Sequence, residues 1–294
     1  MSLILSTISQ GLLWAVMVIG VYLTFRILDI ADLTAEGTYP LGGAICAIAI
    51  VNGVDPILAT LLAAVGGALA GVVAGLLHTK MKLPSLLTGI VVLTGLYSVN
   101  LKVLGKANLA LLQQETLVSR LREFGLDKTG AVMVIGLMTL SIILAGLIGL
   151  LHTELGLALR STGDNIPMSA ANGINTDNMK IIAYALSNGL IALCGALLAQ
   201  NNGYADINSG VGTIVIGLAS IIIAEVLIRH LTLGWRLVSI VVGAVIYRLI
   251  LLAILSLPGV DADMVKLFSA GLLAVVLYVP EVQDKLKLRQ PRVR

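Results

Sequence analysis

Charged and aromatic residues are scarce in this sequence. Only 12% of its 294 residues are Asp, Glu, Lys or Arg, and 4% are Phe, Trp or Tyr, whereas about a quarter of a typical soluble domain is charged. This scarcity excludes a soluble globular enzyme, and a mean hydropathy of +1.01 excludes a disordered chain. The two cysteines, Cys46 and Cys194, lie within apolar runs, so neither a disulfide framework nor a cysteine metal site is expected.

The motifs of nucleotide-binding and hydrolytic sites are also missing. The sequence contains no G-x-x-x-x-G-K-[ST] phosphate loop, no complete dinucleotide fingerprint and no H-E-x-x-H zinc motif. His78, His152 and His230 stand singly at the ends of apolar segments. We therefore expect no catalytic residue, no metal site, no cofactor and no nucleic-acid partner for this chain. If the protein does energised work, another chain supplies the energy.

Long apolar segments dominate what remains, since 58% of the residues are hydrophobic. A membrane-spanning helix needs about 20 apolar residues, and continuous apolar runs indicate helices rather than barrel strands. We predict an all-α polytopic membrane protein, a single transmembrane domain over residues 1–294 with about nine spans (8–10). The predicted spans cover residues 4–25, 39–51, 56–78, 84–104, 131–151, 181–200, 214–228, 237–257 and 265–279. The second and seventh are short, so each extends into its flanks or is a broken helix buried by its neighbours.

The distribution of Lys and Arg predicts the orientation of these spans. With the N-terminus outside and the C-terminus inside, twelve Lys and Arg residues lie in inner loops and six in outer loops, as the positive-inside rule requires. This orientation makes residues 105–130 an extracellular loop and residues 153–180 the one long cytoplasmic loop. Residues 281–294 become a basic cytoplasmic tail.

Glycine is abundant, and Gly67, Gly71 and Gly75 repeat at every fourth residue of the third span. Small residues at this spacing let two helices approach closely in a membrane. We interpret the repeat as tight packing within one subunit, with an interface between subunits as the alternative.

The long cytoplasmic loop contains a short predicted helix. Asp164 is the expected N-cap, Gly173 is the expected left-handed residue after the last turn, and Asp177 or Thr176 is expected to cap the next span. A protein partner accounts better than lipid headgroups for outward residues that are small or apolar and not basic. The helix and its caps comprise Asp164, Asn165, Ile166, Pro167, Met168, Ser169, Ala170, Ala171, Asn172 and Gly173.

Residues 156–225 resemble the permease subunits of ATP-binding-cassette (ABC) importers of the branched-chain amino-acid and ribose type. The matching text is LALRSTGDNIPMSAANGINTDNMKIIAYALSNGLIALCGALLAQ followed by GVGTIVIGLASIIIAE, and residues 32–42 resemble the start of that family's second span. The likeness is strongest to a branch of uncharacterised and aromatic amino-acid (tryptophan- or tyrosine-type) importer permeases.

The resemblance implies partners and a location. The short helix would be the coupling helix that docks into an ABC ATPase subunit, and a second permease copy would complete the pathway. A substrate-binding protein would deliver a small amino-acid-like solute at the outer face of a prokaryotic plasma membrane. The outer segments 105–130 and 201–212 are then the candidate docking surfaces, and stretches 109–112 and 116–124 are expected to form a short amphipathic helix there.

Polar residues inside the spans are the other functional candidates. Such residues are costly in a bilayer and usually face a cavity or a partner helix. The candidates for a substrate path are Glu36, Tyr97, Asn100, Asn188 and Gln200, and the alternative is that they are hydrogen bonds between helices.

Arg248 lies within the eighth span and is expected to pair with Glu36 or Glu225, since an unpaired charge there is unfavourable. Two other protein classes stay open. An ion-driven secondary transporter would use broken helices in inverted repeats and an intramembrane carboxylate. An intramembrane enzyme is least supported, because His and acid clusters are missing.

Overall fold

The computed structural model describes residues 2–227, 232–256 and 264–288. Within these ranges the protein is a helical bundle with one small two-stranded sheet. The helices are α1 (Ser2–Tyr22, continued by a π-turn at Leu23–Ile27), α2 (Ala35–Val51), α3 (Pro56–Thr79), α4 (Ser85–Leu104), α5 (Leu117–Glu123), α6 (Lys128–Leu151), α7 (Glu154–Asp164), α8 (Ile166–Ala171), α9 (Thr176–Asn202), α10 (Thr213–Leu227), α11 (Leu233–Leu255) and α12 (Val265–Leu288); the strands are β1 (Asn108–Ala110) and β2 (Tyr204–Asp206).

Seven helices in the described part of the chain are long and apolar enough to cross a membrane. They are α1, α3, α4, α6, α9, α10 with the turn before it, and α11. The apolar parts of α2 and α12 are shorter, so the count of nine spans stays a prediction. Within the described residues, all nine predicted segments fall on helices. Of the 17 residues of α2, 13 are buried, as expected for a short helix enclosed by its neighbours.

The bundle has two ends that differ in their surface elements. The sheet and α5 lie at one end, called here the α5 end. Helices α7 and α8 follow α6 at the opposite end, called the α8 end. Residues 281–288 of the predicted tail belong to α12, and residues 289–294 lie outside the described part.

The glycine repeat of α3 packs against α9 within the same subunit. A Cβ on Gly71 would overlap the carbonyl oxygen of Tyr184, and a Cβ on Gly75 would lie 2.8 Å from the Cα of Ile181. Gly67 lies equally close to Asn188. The interpretation as packing within one subunit is therefore confirmed, and larger residues at these positions would force the two helices apart.

The helices form two groups of four with matching neighbours, α1–α4 and α9–α12. In one group α2 and α3 pack on α9, and in the other α10 and α11 pack on α1 in the same way. Likewise, α4 packs on α2 and α12 packs on α10. The groups run in opposite directions: the Ser187 hydroxyl donates to the Gly20 carbonyl at 2.7 Å, whereas the Cys194 thiol donates to the Leu13 carbonyl at 3.3 Å. Hence α1 and α9 are antiparallel, which is the arrangement of an inverted repeat.

The two short helices α2 and α10 begin beside each other and diverge. The Gly212 amide, just before α10, donates to the Glu36 carboxylate in the first turn of α2 at 3.0 Å. α2 runs parallel to α9, since Thr38 bonds to Asn188 and Cys46 bonds to Gln200. α10 runs parallel to α1, since Gly217 lies against Val21 and Glu225 pairs with Arg26. Neither short helix crosses the bundle unaided, because 17 residues rise only about 26 Å.

The loop between α4 and α6 differs partly from expectation. Residues 116–124 contain the expected amphipathic helix, α5, but the expectation of helix at 109–112 is wrong. Leu109 instead pairs with Ala205 in the antiparallel β1–β2 sheet. Segments 105–130 and 201–212 therefore meet at the α5 end.

Candidate functional site

Helix α8 is a separate, fully capped turn at the α8 end. Its N-cap is Asn165, whose side-chain oxygen accepts from the Met168 amide at 2.9 Å, and Pro167 lies in the first turn, where it is tolerated. The expectation of Asp164 as N-cap is wrong, because α7 extends to that residue. Gly173 adopts φ +81° after the last turn, as predicted from its left-handed preference.

The exposed side of α8 is apolar. Ile166 is 43% exposed and Met168 is 65% exposed, while Ser169 is buried against the bundle. Ala170 is also exposed. Such a surface carries no charge to attract lipid headgroups and suits a protein partner.

Two features fix α8 relative to the spans. α7 precedes it and approaches the end of α1 so closely that a Cβ on Gly163 would overlap the carbonyl oxygen of Ile27. α9 follows it, and its cap is Asn175, which accepts from the Asn178 amide at 3.1 Å. The expectation of Thr176 or Asp177 as cap is therefore wrong; Asp177 forms an ion pair with Lys80 at 3.3 Å instead.

Tyr97 is the most exposed of the five substrate-path candidates. It is 49% exposed on α4, and Thr94 and Ser98 share its exposed face. Three uncharged polar side chains facing outward from a membrane-spanning helix are poorly suited to lipid contact. They are suited to a weakly binding, water-accessible lining.

Asn188 is fully buried in a polar network instead. Its amide group donates to the Asp32 carboxylate at 2.8 Å and to the Tyr184 carbonyl at 3.0 Å. Its oxygen accepts from the Thr38 hydroxyl at 2.7 Å. The second Asp32 oxygen accepts from the Thr34 amide at 2.9 Å. This network joins the segment before α2 to the middle of α9. Asp32 is not among the candidates predicted from the sequence, although its spacing to Thr34 is that of an Asx-turn.

The other path candidates are also engaged inside the bundle. Asn100, 1% exposed, donates to the Gly37 carbonyl at 3.0 Å. Glu36 is half-buried and accepts from Gly212. Gln200, 3% exposed, links α9 to α5, α3 and α2. The structure therefore does not gather the five candidates onto one surface.

The expected ion pair of Arg248 is absent from the described residues. Glu225 pairs with Arg26 at 2.7 Å, and Glu36 is held by Gly212. The Arg248 guanidinium lies over the Trp14 ring, 4.6 Å from its centroid, and its Nε has no hydrogen-bond partner. A cation–π contact stabilises the charge in place of a carboxylate.

The surface of the α5 end is built around α5. Thr116 caps this helix in a capping box with Ser119. Arg120 forms ion pairs with Asp55 at 2.5 Å and Glu115 at 3.5 Å. The hydrogen bond from the Arg120 guanidinium holds the pKa of the Asp55 carboxyl below its usual value.

Beyond these contacts, α5 presents a free outer face. Arg122 and Glu123 are exposed, and Phe124 is 84% exposed. Leu112, in the loop between β1 and α5, is 78% exposed. Among the described residues, no group of three His, Cys, Asp or Glu side chains is arranged to hold a metal ion, and both cysteines are free and buried.

Residues 3–277 match the family described as "Branched-chain amino acid transport system / permease component", and the chain belongs to this family. Its full-length relatives include a tyrosine transport system permease protein of Clostridioides difficile (strain R20291), 39% identical over 98% of this chain and 94% of the relative. An uncharacterised protein of Rickettsia prowazekii (strain Madrid E) is 32% identical over 95% and 96% of the two chains.

A more distant relative is the autoinducer 2 import system permease protein LsrC of Yersinia pseudotuberculosis serotype O:3 (strain YPIII), 25% identical over 80% of this chain and 66% of the relative. No solved structure gives a significant match. The chain is a multi-pass membrane protein and a permease of the ABC transport type, and its named relatives are transport components rather than enzymes.

Proposed function

We propose that this chain is the permease subunit of an ATP-driven importer for an aromatic amino acid of the tyrosine class. Two copies would enclose the pathway, two ATPase subunits would bind the α8 helices, and a substrate-binding protein would deliver the solute at the α5 end. ATP and Mg²⁺ would bind the ATPase subunits, since no nucleotide motif occurs in this sequence. The solute class rests on the tyrosine transport relative.

The observation that carries this proposal is the exposed apolar side of α8. A six-residue helix has little stability of its own, yet α8 is capped at both ends by Asn165 and Asn172 and seated on the bundle by Ser169. Its outward residues, Ile166 and Met168, are apolar side chains that are nevertheless exposed. A groove on an ATPase subunit would cover them, and movement of that subunit would then pull on α7 and α9.

The orientation follows from this role. The α8 end would be cytoplasmic and the α5 end extracellular, with the N-terminus outside and the C-terminus inside a prokaryotic plasma membrane. The distribution of Lys and Arg in the sequence supports the same orientation.

Transport would proceed by alternating access between two permease copies. The exposed polar side of α4, formed by Thr94, Tyr97 and Ser98, would line the path, and its lack of charge would keep the solute weakly held. Asn100, Asn188 and Gln200 would serve the framework rather than the path, because their side chains are committed to hydrogen bonds within the subunit.

The ATPase contact is tested by substituting Ala170 in the assembled complex. Ala170→Asp would bury an unpaired carboxylate in the apolar contact, which costs about 3–5 kcal/mol, so transport is expected to fall by about a hundredfold or more. Ala170→Ser, small and neutral, is the matched control. Tyrosine uptake into proteoliposomes and co-purification of the ATPase subunit are the measurements. Normal uptake by the Ala170→Asp complex would refute α8 as the coupling helix.

The solute is tested separately by competition. Uptake of labelled tyrosine should be reduced by excess phenylalanine or tryptophan and not by excess leucine or ribose. Uptake that leucine or ribose abolishes and aromatic amino acids do not would assign another solute to the same permease.

The alternative of an ion-driven secondary transporter is distinguished by the energy source. The antiparallel short helices and the buried Asp32 carboxyl are features that such transporters also use. Uptake that continues without ATP but stops when the ion gradient is dissipated would favour that alternative; dependence on ATP and on the ATPase subunit favours the importer.

A further inference from the structure

Gln200 joins the surface helix α5 to three membrane-embedded helices. Its side-chain oxygen accepts from the Leu117 amide, the first in α5, at 2.9 Å. Its amide group donates to the Thr60 hydroxyl of α3 at 2.7 Å and to the Cys46 thiol of α2 at 3.2 Å. Gln200 itself lies in the last turn of α9, so four helices meet at one side chain.

The three hydrogen bonds of Gln200 require its side-chain amide to be in one orientation. The Leu117 amide is only a donor, so it must face the Gln200 oxygen, and both amide hydrogens then point towards Thr60 and Cys46. Thr60 is free to accept because its own hydrogen is donated to the Pro56 carbonyl at 2.7 Å. Gln200 is 3% exposed, and the Leu117 amide is one of the amides at the start of α5 that have no partner within the helix. Gln200 supplies that partner.

A second contact holds α5 to α3. Arg120 pairs with Asp55, which is also the N-cap of α3 and accepts from the Ile57 amide at 2.8 Å. The inner side of α5 is seated by Val118, which is 7% exposed and part of the main apolar core. α5 is therefore attached to the ends of membrane helices, while its outer face stays free.

We propose that Gln200 is the positioning residue through which docking of the binding protein on α5 is transmitted to the membrane helices. This inference rests on the proposed function, which places the binding protein at the α5 end. α9 would carry the movement onward, because its 27 residues form one continuous helix of about 40 Å from Gln200 to Asn175, the cap adjoining α8. A load on α5 would thus reach α8 through one rigid element.

The sharpest test removes only the hydrogen that Gln200 accepts. Leu117→Pro deletes the amide hydrogen at the first helical position, where proline is well tolerated. Thr116, with φ −120° and ψ 166°, already has the extended backbone that precedes proline. Leu117→Ala is the matched control, because it shortens the same side chain and keeps the amide hydrogen.

The second test removes the side chain itself. Gln200→Leu deletes all three hydrogen bonds. Asn52→Leu is its control, since Asn52 is exposed at the end of α2 and lies outside segments 105–130 and 201–212. Each variant is purified as the complete complex with its ATPase subunit. Basal ATPase activity, the affinity for tyrosine-loaded binding protein and the stimulation of ATPase activity by that protein are then measured.

We expect Leu117→Pro and Gln200→Leu to lower the stimulation by about fivefold or more. Their basal activity and docking affinity should stay within about twofold of the unmodified complex, and both controls should be stimulated normally. A merely structural role would lower basal activity and assembly together, leaving the ratio of stimulated to basal activity unchanged. Unchanged stimulation in Leu117→Pro would overturn the inference.

Failure of the proposed function gives a different result. If the unmodified complex contains no ATPase subunit, or is not stimulated by loaded binding protein, the importer proposal fails. If the unmodified complex is stimulated and Leu117→Pro is stimulated equally, only the role of Gln200 fails. Should Gln200→Leu not assemble, the Leu117→Pro and Leu117→Ala pair decides the question alone.

Discussion

Replacing Asn188 by leucine should destabilise the bundle by leaving the Asp32 carboxyl short of a partner. Leucine shares the branched shape of asparagine but is larger, so it would open no cavity and would add some crowding. The Thr38 hydroxyl has one hydrogen, which lies within reach of both the Asn188 oxygen and the Thr34 carbonyl, and in the variant it can donate that hydrogen to the carbonyl at 3.0 Å. Asp32, only 4% exposed, keeps the Thr34 amide but loses the 2.8 Å bond from Asn188. The loss of hydrogen bonding is therefore concentrated on one buried oxygen.

The size of the effect follows from that oxygen. A buried polar group left without its partner costs about 1–3 kcal/mol, and more when it is charged, so we expect a loss of about 3 kcal/mol in the free energy of unfolding. At about 2–4 °C per kcal/mol, the melting temperature in detergent should fall by about 6–12 °C. Asn178→Leu, at an exposed position of the same helix, is the control and should change stability by less than about 0.5 kcal/mol.

A double-mutant cycle with Asp32→Ala isolates the contact. Once the carboxyl is gone, Asn188→Leu should cost at least about 1 kcal/mol less than in the unmodified protein, because contacting residues are not additive. Thermal unfolding followed by intrinsic fluorescence measures all four proteins. Additive losses, or a fall of less than about 2 °C in Asn188→Leu, would show that the two side chains do not depend on each other.

Two further predictions concern packing and charge. Gly71→Ala should lower stability by about 1–3 kcal/mol, because the added Cβ meets the Tyr184 carbonyl, whereas Gly146→Ala, with no atom within 4 Å of its Cβ, should be neutral or stabilising in the same melting assay. Arg248→Met should change the melting temperature little or raise it, since it loses a cation–π contact with Trp14 worth about 1–2 kcal/mol but removes a charge that costs about 2.5–3.5 kcal/mol within a membrane. A drop of more than about 10 °C would reveal a strong partner of Arg248.

The elements that the sequence predicts well are those set by local pattern. Apolar length places the spans within a few residues, and the left-handed preference of Gly173 places the end of α8. The N-cap of α8 is harder to predict from the sequence, because Asp164 and Asn165 are both good caps. Tertiary packing of α7 decides between them, since α7 takes Asp164 into its last turn.

The contacts that the sequence does not reveal join distant residues. Asp32 and Asn188 are separated by 156 positions, and nothing in the local pattern of either points to the other. The same holds for Arg248: a carboxylate partner was the economical expectation, but both candidate carboxylates are already engaged, Glu225 by Arg26 and Glu36 by the Gly212 amide. Only the three-dimensional arrangement of the helices shows which polar groups are hydrogen-bond or ion-pair partners.

The adjoining starts of α2 and α10 have an electrical consequence. Each helix carries a dipole equivalent to about half an elementary positive charge at its first turn, and the two dipoles point in opposite directions from neighbouring origins. The two dipoles largely cancel along the membrane normal. Apart from the Glu36 carboxylate at their junction, tilting the pair together would therefore move little charge through the membrane field, which exchanges about 2.3 kcal/mol per elementary charge per 100 mV. The dipoles of these two helices therefore make their reorientation nearly indifferent to membrane voltage, as would suit the ATP-driven importer proposed above.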